Sequence, residues 1–483
     1  MADNGHSRTH ATPHVAIVGG GIAGLAAAFF LRDKPVRVTV IEGSSRVGGK
    51  LAMADVAGVA VDVGADSTYA PRAKGTGMIA EAGLDDQLTS AGTISRGIWS
   101  RGEMRPLPSQ HMGVPSDLDE LAKSGVLTSE GAARALKDLE LPPAERNGDI
   151  SVAEFVGRRL GQEVVDRLVD PWLGGVYSGR SEELSFEAAL PTLARATKKH
   201  ASLAKAASTL MPQPLPDGKK RPPGISTLLG GIGTLPKVLS DAASAKGAAL
   251  RTNTTVRELA RTGKGWRLTV GSAAAPEYID ADAVIVAVPA GPAGKLLSGV
   301  AGVSQAVAGL AEIEYATIGV ITFAYPRDAF PVSLAEVGRS GYMVPAVDGR
   351  LVQEVTFSSV KWPHLAGEVE IVRCAIGRKG DEKQLERDDA ELAAQAAAEL
   401  AEATGVAGKP VGTQVTRWEN AMPQYTVGHL DRVARIRASV ADQPGLAVCG
   451  AAYDGVGVAT CVATAQKAVD QVLTSLNGKV EVV

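Results

Sequence analysis

The sequence predicts an α/β fold, α+β over the whole chain. A parallel-sheet nucleotide-binding domain should carry an inserted helical lobe and an antiparallel sheet. Three observations carry this. His14 to Val18 is an apolar run of strand length, followed by Gly19, Gly21 and Gly24 in G-x-G-x-x-G spacing and by helix formers from Ile22 to Leu31. A strand that passes through glycines into a helix is the context that separates this motif from a chance match. Strand-like pieces suited to the same sheet recur far away, at 281–289 and at 446–450, the latter leading into a helical stretch. Between them, 116–210 is patterned as amphipathic helices and 311–430 mostly as strands.

Taken in order, the first unit explains itself. Gly19 permits the tight turn, Gly21 lets backbone approach a pyrophosphate, and Gly24 lets helix and strand pack closely. Gly20, Ile22 and Ala23 lie in the same turn and helix start, where unpaired N–H groups and the positive dipole end favour phosphate. A second strand, Val36 to Ile41, ends on Glu42, an acid placed to accept hydrogen bonds from both ribose hydroxyls. Glu42 to Lys50 (EGSSRVGGK) resembles the E-x-x-x-R-x-G-G segment of the two-dinucleotide-motif flavoproteins. That resemblance makes Gly43, Arg46, Gly49 and Lys50 nucleotide contacts, with Arg46 adding charge beside the diphosphate. The stretch 61–67 (VDVGADS) resembles their next segment, where Gly64, Ala65, Asp66 and Ser67 pass close to a flavin. An NAD enzyme needs neither segment, so the expected cofactor is FAD in a Rossmann-like domain.

Beyond this, residues 74–88 read as helical and 94–108 as a hairpin with Arg-Gly-Glu at its tip. The helical lobe follows, and 211–224 is a proline-rich basic linker expected to be exposed and mobile. A glycine turn then leads into a helix at 228–239. Strands follow at 249–259, which includes the expected nucleotide contact Val256, and at 265–270. Residues 281–289 suit a buried parallel strand. Strand-like segments from 311 to 430, interrupted by a helix-rich 391–403, should form one wall of a substrate cavity. The chain closes with a strand at 446–450, a glycine loop at 453–458 and a helix at 459–473. Gly450, Ala451, Val456, Gly457 and Val458 there would face the ring, and a helix N-terminus stabilises negative charge on reduced flavin. The expected division is therefore 14–110, 225–290 and 441–475 for the FAD domain, 111–215 for the lobe and 291–440 for the antiparallel-sheet domain.

Bulk properties exclude several classes. The 483 residues exceed one ordinary core, and 45% hydrophobic with 21% charged residues describes a globular protein. A net charge of −3 provides no general attraction to nucleic acid. No run approaches the roughly 18 apolar residues of a membrane span, so membrane contact is expected to be peripheral at most. Three distant cysteines lack metal spacing and fit a cytoplasmic setting. No metal is expected.

Four stretches together resemble the protoporphyrinogen/coproporphyrinogen oxidase family: GGGIAGLAAAFFL with EGSSRVGGK, the DVGADS segment, DPWLGGVYSGRSEELS (170–185) and YDGVGVATC (453–461). The third discriminates this family from amine oxidases and carotene desaturases. GADS at 64–67 and HMGVP at 111–115 are closer to the soluble bacterial coproporphyrinogen III oxidases. The resemblance implies removal of six electrons from a porphyrinogen in three flavin cycles, with O2 reduced to hydrogen peroxide. It implies no catalytic side chain, because the flavin carries the hydride chemistry. Arg96 falls where the family places a substrate-facing Arg, and Arg72 and Lys74 are further candidates for binding propionates. Tyr177 would pack on a pyrrole or fill the lobe's core. Protoporphyrinogen IX, an amine, a carotene, or a non-catalytic flavin-fold binding role are the alternatives. A heme-pathway ferrochelatase as partner, and monomer against homodimer, stay open.

Overall fold

In the computed structural model, residues 12–69, 77–143, 148–212 and 224–478 are described. The chain begins with β1 (His14–Val18), α1 (Ile22–Leu31) and β2 (Arg37–Ile41). A small hairpin of β3 (Met53–Val56) and β4 (Val59–Asp62) follows, then a second hairpin of β5 (Gly97–Ser100) and β6 (Glu103–Pro106). The lobe contains α2 (Val152–Leu160) and α3 (Asp170–Tyr177), with a π-helical turn at Val165–Val169 leading into the latter. Next come α4 (Leu235–Ser244), β7 (Ala249–Arg251) and β8 (Ala283–Val286). The long-stranded part holds β9 (Tyr315–Pro326), β10 (Gly341–Met343), β11 (Val352–Phe357), β12 (Val369–Ile376), α5 (Asp389–Thr404) and β13 (Gly412–Pro423). The chain ends with α6 (His429–Ala441), β14 (Leu446–Val448) and α7 (Val458–Gly478).

Two sheets organise the molecule. The first is parallel throughout, in the order β7-β2-β1-β8-β14. Its central strand is buried on both faces, as continuous apolar runs require. Val15 and Ile17 pack with α1, α4 and α7 on one side. Ala16 and Val18 pack on the other with helices spanning 290–297, 304–311 and α6. The second sheet has seven strands in the order β13-β9-β12-β11-β10-β5-β6. One of its faces packs on α5 through Phe323, Val355, Val372, Leu392 and Leu400. The helical lobe has its own core, including Phe155, Leu168, Leu173, Phe186 and Tyr425.

Three expectations are corrected. The hairpin at 97–106 joins the seven-stranded sheet, pairing Tyr342 with Gly97 and Met343 with Ile98, so it is no part of the nucleotide domain. Ile98 reaches the lobe's core and Trp99 the sheet's, and that two-sided burial fixes the hairpin there. Conversely, the helices at 290–311 and α6 pack on the parallel sheet although they lie within the expected 291–440 segment. Of the expected helix at 74–88, residues 74–76 lie outside the described residues, and the described part is helical only at Gly77–Glu81 with a short turn at Asp85–Gln87. Leu88–Ser90 is a strand bonded to Ile225–Leu228. Most of the basic linker (213–223) lies outside the described residues.

Candidate functional site

The parallel sheet delivers its loops to one edge, and a nucleotide cradle forms there. Gly21 caps α1 with extended backbone and no side-chain cap, so the first-turn N–H groups of Ile22, Ala23 and Gly24 are available to a ligand. A Cβ at Gly24 would lie 1.9 Å from the Gly19 carbonyl oxygen, so only glycine lets the helix sit this close to the turn. A Cβ at Gly21 would meet nothing within 4 Å, which leaves open the approach a diphosphate needs. Gly48 N–H donates to the Gly20 carbonyl at 2.8 Å, seating the 42–50 loop beside this turn.

Glu42 closes the adenosine end. Its carboxylate accepts N–H bonds from Gly20 (2.7 Å) and Ser44 (2.8 Å), which fix its orientation. A cavity of about 220 Å³ opens beside it, lined by Gly19, Glu42, Gly43, Val256, Val288 and Pro289 among others. Four expected contacts from three parts of the chain therefore converge. Arg46 differs from expectation. It donates to the Gly49 carbonyl at 2.7 Å and its guanidinium lies 5.9 Å from the Trp418 ring, so it shapes the loop as much as it charges it.

On the ring side, Ala65 N–H donates to the Lys50 carbonyl at 3.2 Å, which brings 64–67 against the first loop. The Lys50 ammonium has no hydrogen-bond or ion-pair partner among the described residues. Burial lowers its pKa, with the Cys461 thiol its near neighbour. The Asp66 side chain is fully engaged within the protein. Its carboxylate accepts from Lys361 (2.8 Å), Trp362 Nε1 (3.2 Å) and Ser67 Oγ (3.0 Å), and pairs with Arg373 at 3.2 Å. Burial would raise its pKa, but Lys361 and Arg373 hold it well below the usual carboxylate range. The side chain thus tethers the loop to the antiparallel sheet, and any approach of this segment to a cofactor is left to its backbone. Arg373 also donates to the Gly64 carbonyl at 2.6 Å. At the C-terminal loop, Gly450 N–H donates to Thr464 Oγ1 (3.0 Å) and Ala451 accepts from the Tyr425 hydroxyl (2.6 Å). Val456 and Gly457 lead directly into Val458, the first residue of the 21-residue α7.

The seven-stranded sheet and the lobe meet where α3 packs on β10 and β11. Arg96, at the entry to β5, pairs with Glu354 of β11 at 2.7 Å. Tyr177 lies in the lobe's core. Its ring is 6% exposed, lies 5.6 Å from Tyr425, and its hydroxyl donates to the Ala189 carbonyl at 3.4 Å. Burial pushes its phenol up to about 12. Arg72 and Lys74 lie outside the described residues.

Several residues were not legible in the sequence. Asp170 accepts from both terminal nitrogens of Arg378 (2.8 and 3.0 Å) and from Ser181 N–H and Oγ (3.1 and 2.9 Å). Arg378 donates on to the Gly179 carbonyl at 3.2 Å, and Lys379 N–H to that of Ser178 at 2.8 Å. The 170–185 motif is thus the joint between lobe and sheet, with its partner 208 residues away in sequence. Lys361 and Arg373 were missed for the same reason. Glu354 left one signal, an acid alternating with the buried Val355 on a strand.

Comparison with known proteins agrees with this geometry. The sequence profile of the family described as flavin containing amine oxidoreductase matches residues 22–473. A coproporphyrinogen III oxidase from Mycobacterium bovis is 36% identical over 471 residues, covering 96% of this chain and 98% of the relative. The chain belongs to the coproporphyrinogen III oxidase family. A coproporphyrinogen III oxidase of Bacillus subtilis is 30% identical over 96% of this chain and 98% of its own length. A solved structure from Exiguobacterium sp. 255-15, provisionally named a protoporphyrinogen oxidase, superposes with a TM-score of 0.83 at 27% identity, covering 97% of this chain and 99% of that one. Membership of this flavin-containing family makes the protein an FAD-dependent oxidoreductase. The cradle fits that cofactor: open backbone at Gly21, a cavity against Glu42, and an α1 N-terminus with no side-chain cap. Among the described residues no helix is long and apolar enough to cross a bilayer, and no cluster could hold a metal ion.

Proposed function

We propose that this protein oxidises coproporphyrinogen III to coproporphyrin III, with O2 as electron acceptor, in the cytoplasm. Near full-length kinship with bacterial coproporphyrinogen III oxidases is the observation that carries the reading. FAD, when bound, supplies the two-electron acceptor for each of three oxidations; six electrons and six protons leave the macrocycle and three O2 become three H2O2.

The chain's own residues position and shield. Glu42 and the 19–24 turn hold the nucleotide end. The α7 N-terminus and the Lys50 ammonium present positive potential to the ring side, where negative charge would accumulate during turnover. The tethered 64–67 loop and the lobe would shield the bound substrate from water. Arg96 offers a guanidinium to a substrate propionate. Arg72 and Lys74 belong to the same proposal as further propionate partners, and Tyr177 contributes by filling the lobe. Handing the product to a ferrochelatase also belongs to this reading.

The test is direct. Purified protein with absorption near 450 nm is given coproporphyrinogen III and protoporphyrinogen IX side by side, and porphyrin fluorescence and peroxide are followed. Faster porphyrin formation from the coproporphyrinogen, with about one peroxide per two electrons, supports the proposal. Preference for protoporphyrinogen IX, or oxidation of neither, overturns it. Size-exclusion of the protein alone and with a ferrochelatase decides oligomeric state and partnership.

A further inference from the structure

The ion pair between Arg96 and Glu354 is built differently from the permanent clamps of this molecule. We propose that Glu354 is an exchangeable latch on Arg96, holding the guanidinium until a ligand carboxylate displaces it; this rests on the porphyrinogen reading above.

Strand alternation sets the stage. Val355 and Phe357 of β11 enter the core shared with α5, so Glu354 and Thr356 project from the opposite face, toward the lobe. The lobe makes room for the carboxylate. At Gly175 of α3 a Cβ would stand 2.4 Å from Glu354 Oε2, so any side chain there would force the carboxylate to shift. The pair is therefore enclosed between the two bodies, with side chains 19% and 14% exposed.

Its bonding is nonetheless incomplete. Arg96 Nη1 meets Glu354 Oε1 at 2.7 Å, and Thr356 Oγ1 donates weakly to the same oxygen at 3.4 Å. Among the described residues Glu354 Oε2 accepts no hydrogen bond, and the remaining Arg96 guanidinium N–H groups donate to none. Contrast Asp170 and Arg378, where a bidentate fork is completed by Ser181 and Gly179 at 5–8% exposure. The Asp170 clamp occupies both carboxylate oxygens and both terminal guanidinium nitrogens; the Arg96–Glu354 pair occupies one of each, and a guanidinium fork matches an incoming carboxylate bidentately. Exchange of one carboxylate for another keeps Arg96 neutralised at every stage. A ligand without carboxylates has nothing to offer in exchange. The latch thus favours carboxylated tetrapyrroles while lowering their affinity by the strength of the bond they must replace.

The experiment titrates FAD-loaded protein with coproporphyrin III and with its tetramethyl ester in detergent, following tryptophan quenching, in wild type, Glu354→Gln, Arg96→Met and the double variant. Unchanged flavin absorption and urea midpoint establish that each variant is folded. Glu354→Gln should bind the acid about fivefold to tenfold more tightly, the range of a partly buried pair. It should leave ester binding unchanged and lose its effect when Arg96 is Met. Weaker acid binding by Glu354→Gln would mean that Glu354 orients Arg96 for the ligand, which overturns the latch. Equal binding, or an effect that persists without Arg96, overturns it as well. Failure of wild type to bind the acid at all would remove the porphyrin reading itself, an outcome distinct from the other three.

Discussion

Replacing Asp170 by Asn should weaken folding by about 3 kcal/mol, a large cost for the loss of one charge. The carboxylate is 8% exposed and its partner Arg378 is 5% exposed, so water cannot take over either group. Four donors converge on it, two from Arg378 and two from Ser181. An Asn removes the charge and turns one acceptor into a donor, which then confronts another donor. Removing one member of a buried pair costs about 3–5 kcal/mol, because the survivor stays buried without compensation. Arg378 keeps its bond to the Gly179 carbonyl, which places the expected value at the lower end. Urea unfolding of the FAD-loaded protein measures it, as a lower midpoint at unchanged slope. The double variant Asp170→Asn/Arg378→Met should cost less than the sum of its parts, since it leaves no orphaned charge. A cost under about 1 kcal/mol, typical of exposed pairs, or strict additivity, would refute the clamp.

Three other outcomes follow from the same geometry. Glu42→Ala should weaken FAD binding by about tenfold to a hundredfold, because charged hydrogen bonds are worth roughly 1.5–3 kcal/mol; reconstitution of the apoprotein followed by flavin fluorescence reads it. Lys50→Met should raise the melting temperature of the apoprotein while weakening its affinity for FAD, since the ammonium is buried with no anion beside it until the cofactor arrives; a fall in both would contradict this. Asp62 should make stability fall as pH rises. Burial outweighs the N–H bonds from Gly233 and Ile232 and raises its pKa from 3.8 to about 6. Its contribution is therefore present in full below the ordinary value and is lost as pH climbs through about 6, worth roughly 3 kcal/mol across that window. Asp62→Asn should flatten that part of the pH–stability curve, and an unchanged curve would show that the carboxylate stays ionised.

What the sequence disclosed was local. Gly19, Gly21 and Gly24 act within one turn, and their spacing states both their conformation and the ligand they admit. The apolar runs at 14–18 and 283–286 announced strands buried on both faces because nothing polar interrupts them. Distance hid the rest. Alternation identified 97–106 as a hairpin, but which sheet it joins depends on β10, more than 200 residues later. The resemblance placed the backbone of Asp66 near the cofactor but said nothing of its side chain; Lys361, Trp362 and Arg373, which capture it, carry no local mark. Tyr177 stands inside the most diagnostic motif, yet that motif works through Asp170 and its partner on the other body. A shared motif therefore pointed to the right family, and of the two tasks open to Tyr177 the structure shows the packing one.

The order of strands in the parallel sheet also constrains how the protein is made. β1 is central, yet one of its two neighbours is β8, and His14 and Asp282, which share a hydrogen bond there, are 268 residues apart. A ribosome that has just released the first βαβ unit has produced a strand with one flank bare for most of the remaining synthesis. N-terminal fragments ending before β8 should consequently be captured by chaperones or aggregate, and cofactor retention should first appear in chains long enough to include α7.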